Sequence, residues 1–240
     1  SLNEPFTSYM STNQQIFPKY INDAVVGTKY WQVKTFGGNK YIQMSSFGGT
    51  AEANRSLFFV PINLTGASTV SFKTKAGFAN GTCLKVYYTT NYVAGSNATT
   101  ATYTNITSSF TIDPGLASGY PTNFTDSGNW AIPGSLTGNG FLVFEYIGNG
   151  SGGVTTTMQI DDILINSSTF LNTYLEENNK VGLLLCKDAL VSFYEKSGWA
   201  LIPESKVKAE YNLSGINVMS FNNQQIKGSF STMTIKGGAF

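Results

Sequence analysis

The chain has 240 residues, 15 basic and 14 acidic side chains, a formal net charge of +1 and no histidine. That balance leaves no basic field to collect nucleic acid or anionic lipid. Without histidine, Ser-His-Asp and Cys-His nucleophile systems, His-ligated zinc and a histidine base are excluded. Abundant Thr, Ser, Asn, Gly and aromatic residues with few charges favour many short strands joined by polar turns over a helical bundle.

Leu2-Asn3-Glu4-Pro5-Phe6 reads as a short extended segment, because Pro5 disfavours helical geometry at Glu4. Tyr30-Trp31-Gln32-Val33-Lys34 alternates with the strand period, and glycine pairs flank Tyr41-Ile42-Gln43-Met44. Leu57-Phe58-Phe59-Val60 continues into Pro61-Ile62-Asn63-Leu64. An unbroken apolar run is typical of a strand covered on both faces, and Pro61 places its end at an edge or bulge. Thr69-Val70-Ser71-Phe72-Lys73-Thr74-Lys75 and Leu84-Lys85-Val86-Tyr87-Tyr88-Thr89-Thr90 also alternate. Asn80-Gly81 between them predicts a tight hairpin. Residues 91–109 form a long polar loop of the kind that often carries function.

Phe141-Leu142-Val143-Phe144-Glu145-Tyr146-Ile147 is a further core strand. The glycine-rich stretch 148–153 after it lacks the Lys-Ser/Thr and the helix of a phosphate loop. The run Met158-Gln159-Ile160-Asp161-Asp162-Ile163-Leu164-Ile165 carries two adjacent carboxylates that should point to opposite faces. At least one heads toward a packed face, where it needs a hydrogen-bonding partner or a metal.

Near residue 167 the character changes. The first 170 residues hold 16 charged side chains and the last 70 hold 13. Ser168-Thr169 can cap a helix through Glu177, 181–186 reads as an apolar strand, and 187–197 as an amphipathic helix stopped by Gly198. The expected organisation is a β-sandwich over 1–167 and a smaller α+β segment over 168–240. Cys83 and Cys186, far apart, read as two buried thiols rather than a disulfide framework. The Asn-x-Ser/Thr triplets are chance products of composition, and no apolar run is long enough to span a membrane. No leader opens the chain at Ser1, so export would require a leader or anchor outside this sequence.

The ordered series Glu4-Pro5-Phe6, Trp31, Leu57 to Leu64, Val70-Ser71-Phe72, Leu84 to Thr90, 141–146 and Ile160-Asp161-Asp162-Ile163-Leu164-Ile165 resembles the cleaved-adhesin, or choice-of-anchor J, family of Bacteroidetes surface proteins. The similarity covers about residues 2–167. It implies an antiparallel two-sheet jelly roll used outside the cell for adhesion or glycan contact, with a glycan or a surface protein as partner. It also implies a structural calcium held by an acid of the first strand and the Asp of the last, here Glu4 and Asp161. Calcium takes oxygen ligands, so two carboxylates beside backbone carbonyls suit it.

The segment Leu183-Leu184-Leu185-Cys186-Lys187-Asp188 followed by Phe193-Tyr194-Glu195-Lys196-Ser197-Gly198-Trp199 is similar to a late part of GNAT-type N-acetyltransferases. That resemblance implies Tyr194 as the acid that protonates the departing CoA thiolate. The family's pyrophosphate-binding loop, with free N–H groups at a helix start, has no counterpart upstream of Val181.

Among aromatics able to stack on sugar rings, Trp130, Tyr92 and Tyr120 are the candidates, because polar or Gly/Pro-rich sequence surrounds them. Trp31, in an alternating strand, reads as core. A glycosidase needs two acids across a cleft, which the adjacent and divergent Asp161 and Asp162 do not provide. The expectation is a non-catalytic extracellular binding module. An acetyltransferase remnant and a purely structural accessory domain are the alternatives.

Overall fold

The computed structural model describes residues 1–10, 12–210, 212–222 and 232–236. The chain divides into two compact units. One comprises Ser1–Thr65, Thr69–Ile132 and Thr137–Asn166; the other comprises Gly66–Ser68, Pro133–Leu136 and Ser167–Phe240.

The first unit is built on β1 (Leu2–Glu4), β2 (Ile21–Val26), β3 (Gln32–Phe36), β4 (Asn39–Met44), β5 (Ala53–Asn63) and β6 (Ala67–Gly77). It continues with β7 (Leu84–Thr89), β8 (Thr104–Asn105), β9 (Thr125–Asp126), β10 (Trp130–Ala131), β11 (Asn139–Asn149) and β12 (Thr157–Ser167). Two sheets result. The first runs β10-β6-β12-β4-β3, with β1 on β12 and β9 on β6; the second runs β2-β5-β11-β7-β8. The strand pairs with assigned register are antiparallel, giving the two-sheet sandwich expected from the alternating pattern.

Alternate side chains from both sheets fill the space between them. Phe72 meets Phe144 edge-to-face at 4.9 Å, and Trp31 meets Tyr146 at 6.3 Å. Each such buried aromatic contributes on the order of 2–3 kcal/mol of apolar transfer free energy. The second sheet is covered on its other face too. Tyr92 stacks on Phe59 at 4.3 Å, and Ala98 joins them over Leu57 and Val143. The 91–109 loop is thus largely a cover, which explains why Leu57-Phe58-Phe59-Val60 shows no polar alternation.

Two sequence expectations change. Pro61 does not end its strand, since β5 continues to Asn63 and Pro61 pairs with Phe141. Its other neighbour, β2, reaches only to Phe59. The residue that cannot donate therefore lies where one edge of β5 has no partner strand. Asn80-Gly81 is not a hairpin turn, because β6 and β7 lie in different sheets. The Asn80 and Gly81 amides instead donate to Thr156 Oγ1 in a crossover between sheets.

β12 switches phase at its acidic pair. Met158 and Ile160 are buried before it, Ile163 and Ile165 after it. Asp162 has φ +46°, the left-handed region, and it restores the inward phase as a bulge does. The partner on that edge changes at the same place, from β4, ending at Ile160–Ile42, to β1, starting at Ile163–Glu4.

The second unit carries α1 (Ser168–Glu177), β13 (Gly182–Cys186), α2 (Asp188–Lys196), β14 (Ala200–Leu201), β15 (Val207–Ala209), β16 (Asn217–Phe221) and β17 (Met233–Ile235). β13-β16-β14 form an antiparallel sheet, and β15 and β17 form a parallel pair. Leu175, Cys186, Trp199, Met219 and Phe221 make its core, with Leu184, Leu190, Val191 and Tyr194 packed against them. The side chains of Ser168 and Thr169, the expected cap, and the chain end beyond residue 236 lie outside the described residues. Both cysteines are free and buried, and burial pushes the Cys83 thiol up to about 12.

Candidate functional site

The outer face of the first sheet is polar where its inner face is apolar. On β3, Val33 is buried in the core while Gln32 and Lys34 face outward. On β4, Ile42 and Met44 point in, leaving Tyr41 and Gln43 on the other side. On β12, Gln159 lies between the inward Met158 and Ile160.

Strand register brings these positions together. Gln32 is opposite Gln43, and Gln43 is opposite Gln159. Three glutamines thus form a row across three adjacent strands, about 10 Å from first to last at the usual inter-strand spacing. Gln159 Nε2 donates to Gln43 Oε1 at 3.0 Å. Gln159 is buried, and Gln32 and Gln43 open into a groove of about 440 Å³ lined also by Tyr30, Lys34, Phe47 and Thr157, among others. Phe47 is 78% exposed and Tyr30 37%. None of the lining residues is acidic.

A second concavity, about 500 Å³, lies over β6 and β12 and includes Asn3, Ser71, Lys73, Asp126, Asn129 and Asp162. Lys73 Nζ pairs with Asp162 at 3.0 Å. The hydrogen bond and charge of Asp162 raise the Lys73 amine above its ordinary value.

The aromatics singled out from sequence separate. Trp130 is buried, pairs with Val70 through β10 and stacks on Tyr88 at 5.8 Å. Tyr92 is buried against Phe59. Neither ring face is free for a sugar, which corrects their assignment as loop platforms. The Asp126-Ser127-Gly128-Asn129 run before Trp130 belongs to the sheet edge, where Ser127 N–H donates to Phe72 O and Phe72 N–H to Ser127 Oγ. Tyr120 keeps 38% exposure and meets the exposed Phe78 edge-on at 5.5 Å.

Glu4 and Asp161 are both buried, and the structure gives each its own donors. Glu4 accepts from Phe6 N–H at 2.7 Å and Tyr20 O–H at 2.7 Å. Asp161 accepts from Asn39 Nδ2 at 2.7 Å and Asp162 N–H at 2.7 Å. All four carboxylate oxygens are therefore engaged, and the two donor sets share no residue. Glu4 sits opposite Ile163 with the inward aromatics Phe6 and Tyr20, whereas Asp161 lies among Asn39, Tyr41 and Lys73. Among the described residues, no group of three or more His, Cys, Asp or Glu side chains gathers to hold a metal. Two separately satisfied carboxylates do not fit the six to eight oxygens of a calcium shell. Burial raises the Asp161 carboxyl above its ordinary value, partly opposed by Asn39 and the Asp162 amide.

Tyr194 packs edge-on against Phe193 at 5.0 Å and Trp199 at 6.1 Å, with its hydroxyl pushed up by burial. It is part of the second unit's core, and the acetyltransferase resemblance gains no support.

No family model and no curated protein matches the chain. Among solved structures, the chain is similar to the K2 cleaved adhesin domain of Lys-gingipain, at 17% identity over 70% of this chain and 98% of that one, TM-score 0.48. The K3 domain of Lys-gingipain from Porphyromonas gingivalis w83 follows at 14% identity, 69% and 98% coverage and TM-score 0.39. TmCBM61, solved in complex with beta-1,4-galactotriose, gives 13% identity, 64% and 92% coverage and TM-score 0.38. Two of these solved structures carry the cleaved-adhesin name that the sequence resemblance gave.

The glutamine row was not singled out from sequence, although its signal is present. Each glutamine stands between two apolar residues, as Trp31-Gln32-Val33, Ile42-Gln43-Met44 and Met158-Gln159-Ile160. Such a residue occupies the outward slot of a half-buried strand.

Proposed function

We propose that this chain is a non-catalytic, extracellular glycan-binding β-sandwich, and that an uncharged saccharide occupies the groove at Gln32, Gln43 and Phe47. One observation carries the reading: exposed aromatic rings flank the side-chain amides of Gln32 and Gln43 in a concavity whose lining contains no carboxylate. Sugar rings present an apolar face that packs on Phe47 or Tyr30. Each glutamine amide offers both a donor NH₂ and an acceptor oxygen, matching hydroxyls that are themselves donor and acceptor. Apolar walls with a few placed polar groups are the usual build of a small-ligand site.

Hydrolysis would need an acid pair astride the glycosidic bond. Of the adjacent acids in β12, Asp161 is buried and hydrogen-bonded and Asp162 is ion-paired to Lys73. Glu145, in β11, is held by Arg55 and Tyr87.

A glycan array on the intact chain tests the reading, followed by titration of the best ligand against Phe47→Ala and Gln43→Ala. Losing one amide partner is expected to weaken binding about three- to ten-fold, for a net hydrogen bond of roughly 0.5–1.5 kcal/mol. An array without hits, or hits indifferent to both substitutions, would overturn the proposal in favour of a structural accessory domain.

A further inference from the structure

Phe47 is displayed by a turn whose order has an identifiable source. The backbone oxygens of Ser46, Phe47 and Gly48 converge on one point, and the Lys29 ammonium occupies it. Nζ donates to Ser46 O at 2.8 Å, to Phe47 O at 3.2 Å and to Gly48 O. An ammonium has three hydrogens to donate, and all three are used. Converging carbonyl dipoles repel one another unless a cation sits among them, the role that bound metal ions play in other loops.

The rest of the turn fits this arrangement. Gly48 and Gly49 take φ +74° and +63°, left-handed values that other residues rarely adopt. Phe47 N–H donates to Ser45 Oγ at 3.1 Å, and Ser46 N–H to Tyr146 Oη at 3.0 Å. Lys29 is itself anchored from below, because its carbonyl accepts from the fully buried Ser56 hydroxyl. Glu52 lies near enough for its carboxylate to feel the ammonium, yet its hydrogen bonds go to Thr28 and Asn54. The amine is thus committed to the turn rather than to a carboxylate.

We propose that Lys29 is the positioning residue of this groove: a built-in cation that fixes the 46–48 turn and so presents Phe47 to ligand. The proposal rests on the glycan-binding reading for its consequence, not for the clamp itself. A prepaid turn binds more tightly than one that must be ordered on contact.

Two measurements keep clamp and function apart. The first is amine acylation of the unmodified protein with N-hydroxysuccinimidyl acetate, followed by peptide mass spectrometry. Lys29 is expected to react at least ten-fold more slowly than exposed lysines such as Lys19 and Lys85, and reactivity equal to theirs would overturn the clamp. The second places 5-fluorotryptophan at Phe47→Trp and follows its ¹⁹F resonance, with and without Lys29→Met. Loss of the ammonium is expected to narrow and shift that resonance toward a freely moving side chain. In parallel, affinity for neutral β-linked gluco-, xylo- or galacto-oligosaccharides should fall about ten-fold. An unchanged resonance would overturn the proposal. A changed resonance in a protein that binds none of these sugars would retain the clamp and reject the glycan reading.

Discussion

The ion pair between Arg55 and Glu145 should respond asymmetrically to the loss of either partner. Arg55 Nε lies 2.6 Å from Glu145 Oε2, with side-chain exposure of 32% for the arginine and 4% for the glutamate. Tyr87 O–H donates to the other carboxylate oxygen at 3.1 Å. In Arg55→Met the carboxylate stays buried with one neutral donor. Stranding a buried charge costs roughly 3–5 kcal/mol, and the partly open arginine site, which admits water, places the value near the lower end, about 3 kcal/mol. In Glu145→Gln the guanidinium can turn to solvent and Tyr87 keeps an acceptor, so the loss is about 1 kcal/mol. For a chain of this size each kcal/mol corresponds to about 2–4 °C in Tm. Calorimetry should therefore show a drop of roughly 6–12 °C for Arg55→Met and 2–4 °C for Glu145→Gln. The double variant should lie well short of the summed losses. Equal losses, or a larger one for Glu145→Gln, would refute the argument that the buried carboxylate sets the cost.

Two further predictions concern the acidic pair of β12 and Glu4. Burial raises the Asp161 carboxyl, so its contribution is fully present below the unfolded carboxylate range and is lost as pH climbs through the raised folded value. Relative to Asp161→Asn, the wild-type Tm should accordingly improve as pH falls from 7 toward 4, and a flat difference would contradict the burial argument. Calcium at Glu4 and Asp161 is decided by melting with calcium and with a chelator. An ion present at a hundred times its Kd would add about 2.7 kcal/mol, several degrees in Tm. With both carboxylates already hydrogen-bonded, no shift is expected. A rise that Glu4→Gln abolishes would instead establish the ion.

The acids of β12 show where sequence reading holds and where it stops. Alternation said that Asp161 and Asp162 diverge, and one is indeed buried while the other is exposed enough to pair with Lys73. The left-handed turn at Asp162 was not legible, because it answers to a change of neighbouring strand from β4 to β1, a long-range event. Trp130 and Tyr92 failed for a related reason. Polar or flexible neighbours describe how the chain is solvated locally, whereas burial depended on Tyr88 and Phe59 arriving from other strands.

What the sequence by itself determined was the architecture: strand period, the doubly covered β5, the polar outward slots, and the shift in pattern that precedes α1. These follow from side-chain alternation and turn chemistry, which act over a few residues. Register belongs to tertiary structure. Only the pairing of β3 with β4 and β4 with β12 turns three separate glutamines into one row. Only the approach of the β2–β3 connection to the 46–48 turn puts the Lys29 ammonium among three carbonyls. Both are contacts between segments distant along the chain, set by the way two sheets close over a shared core.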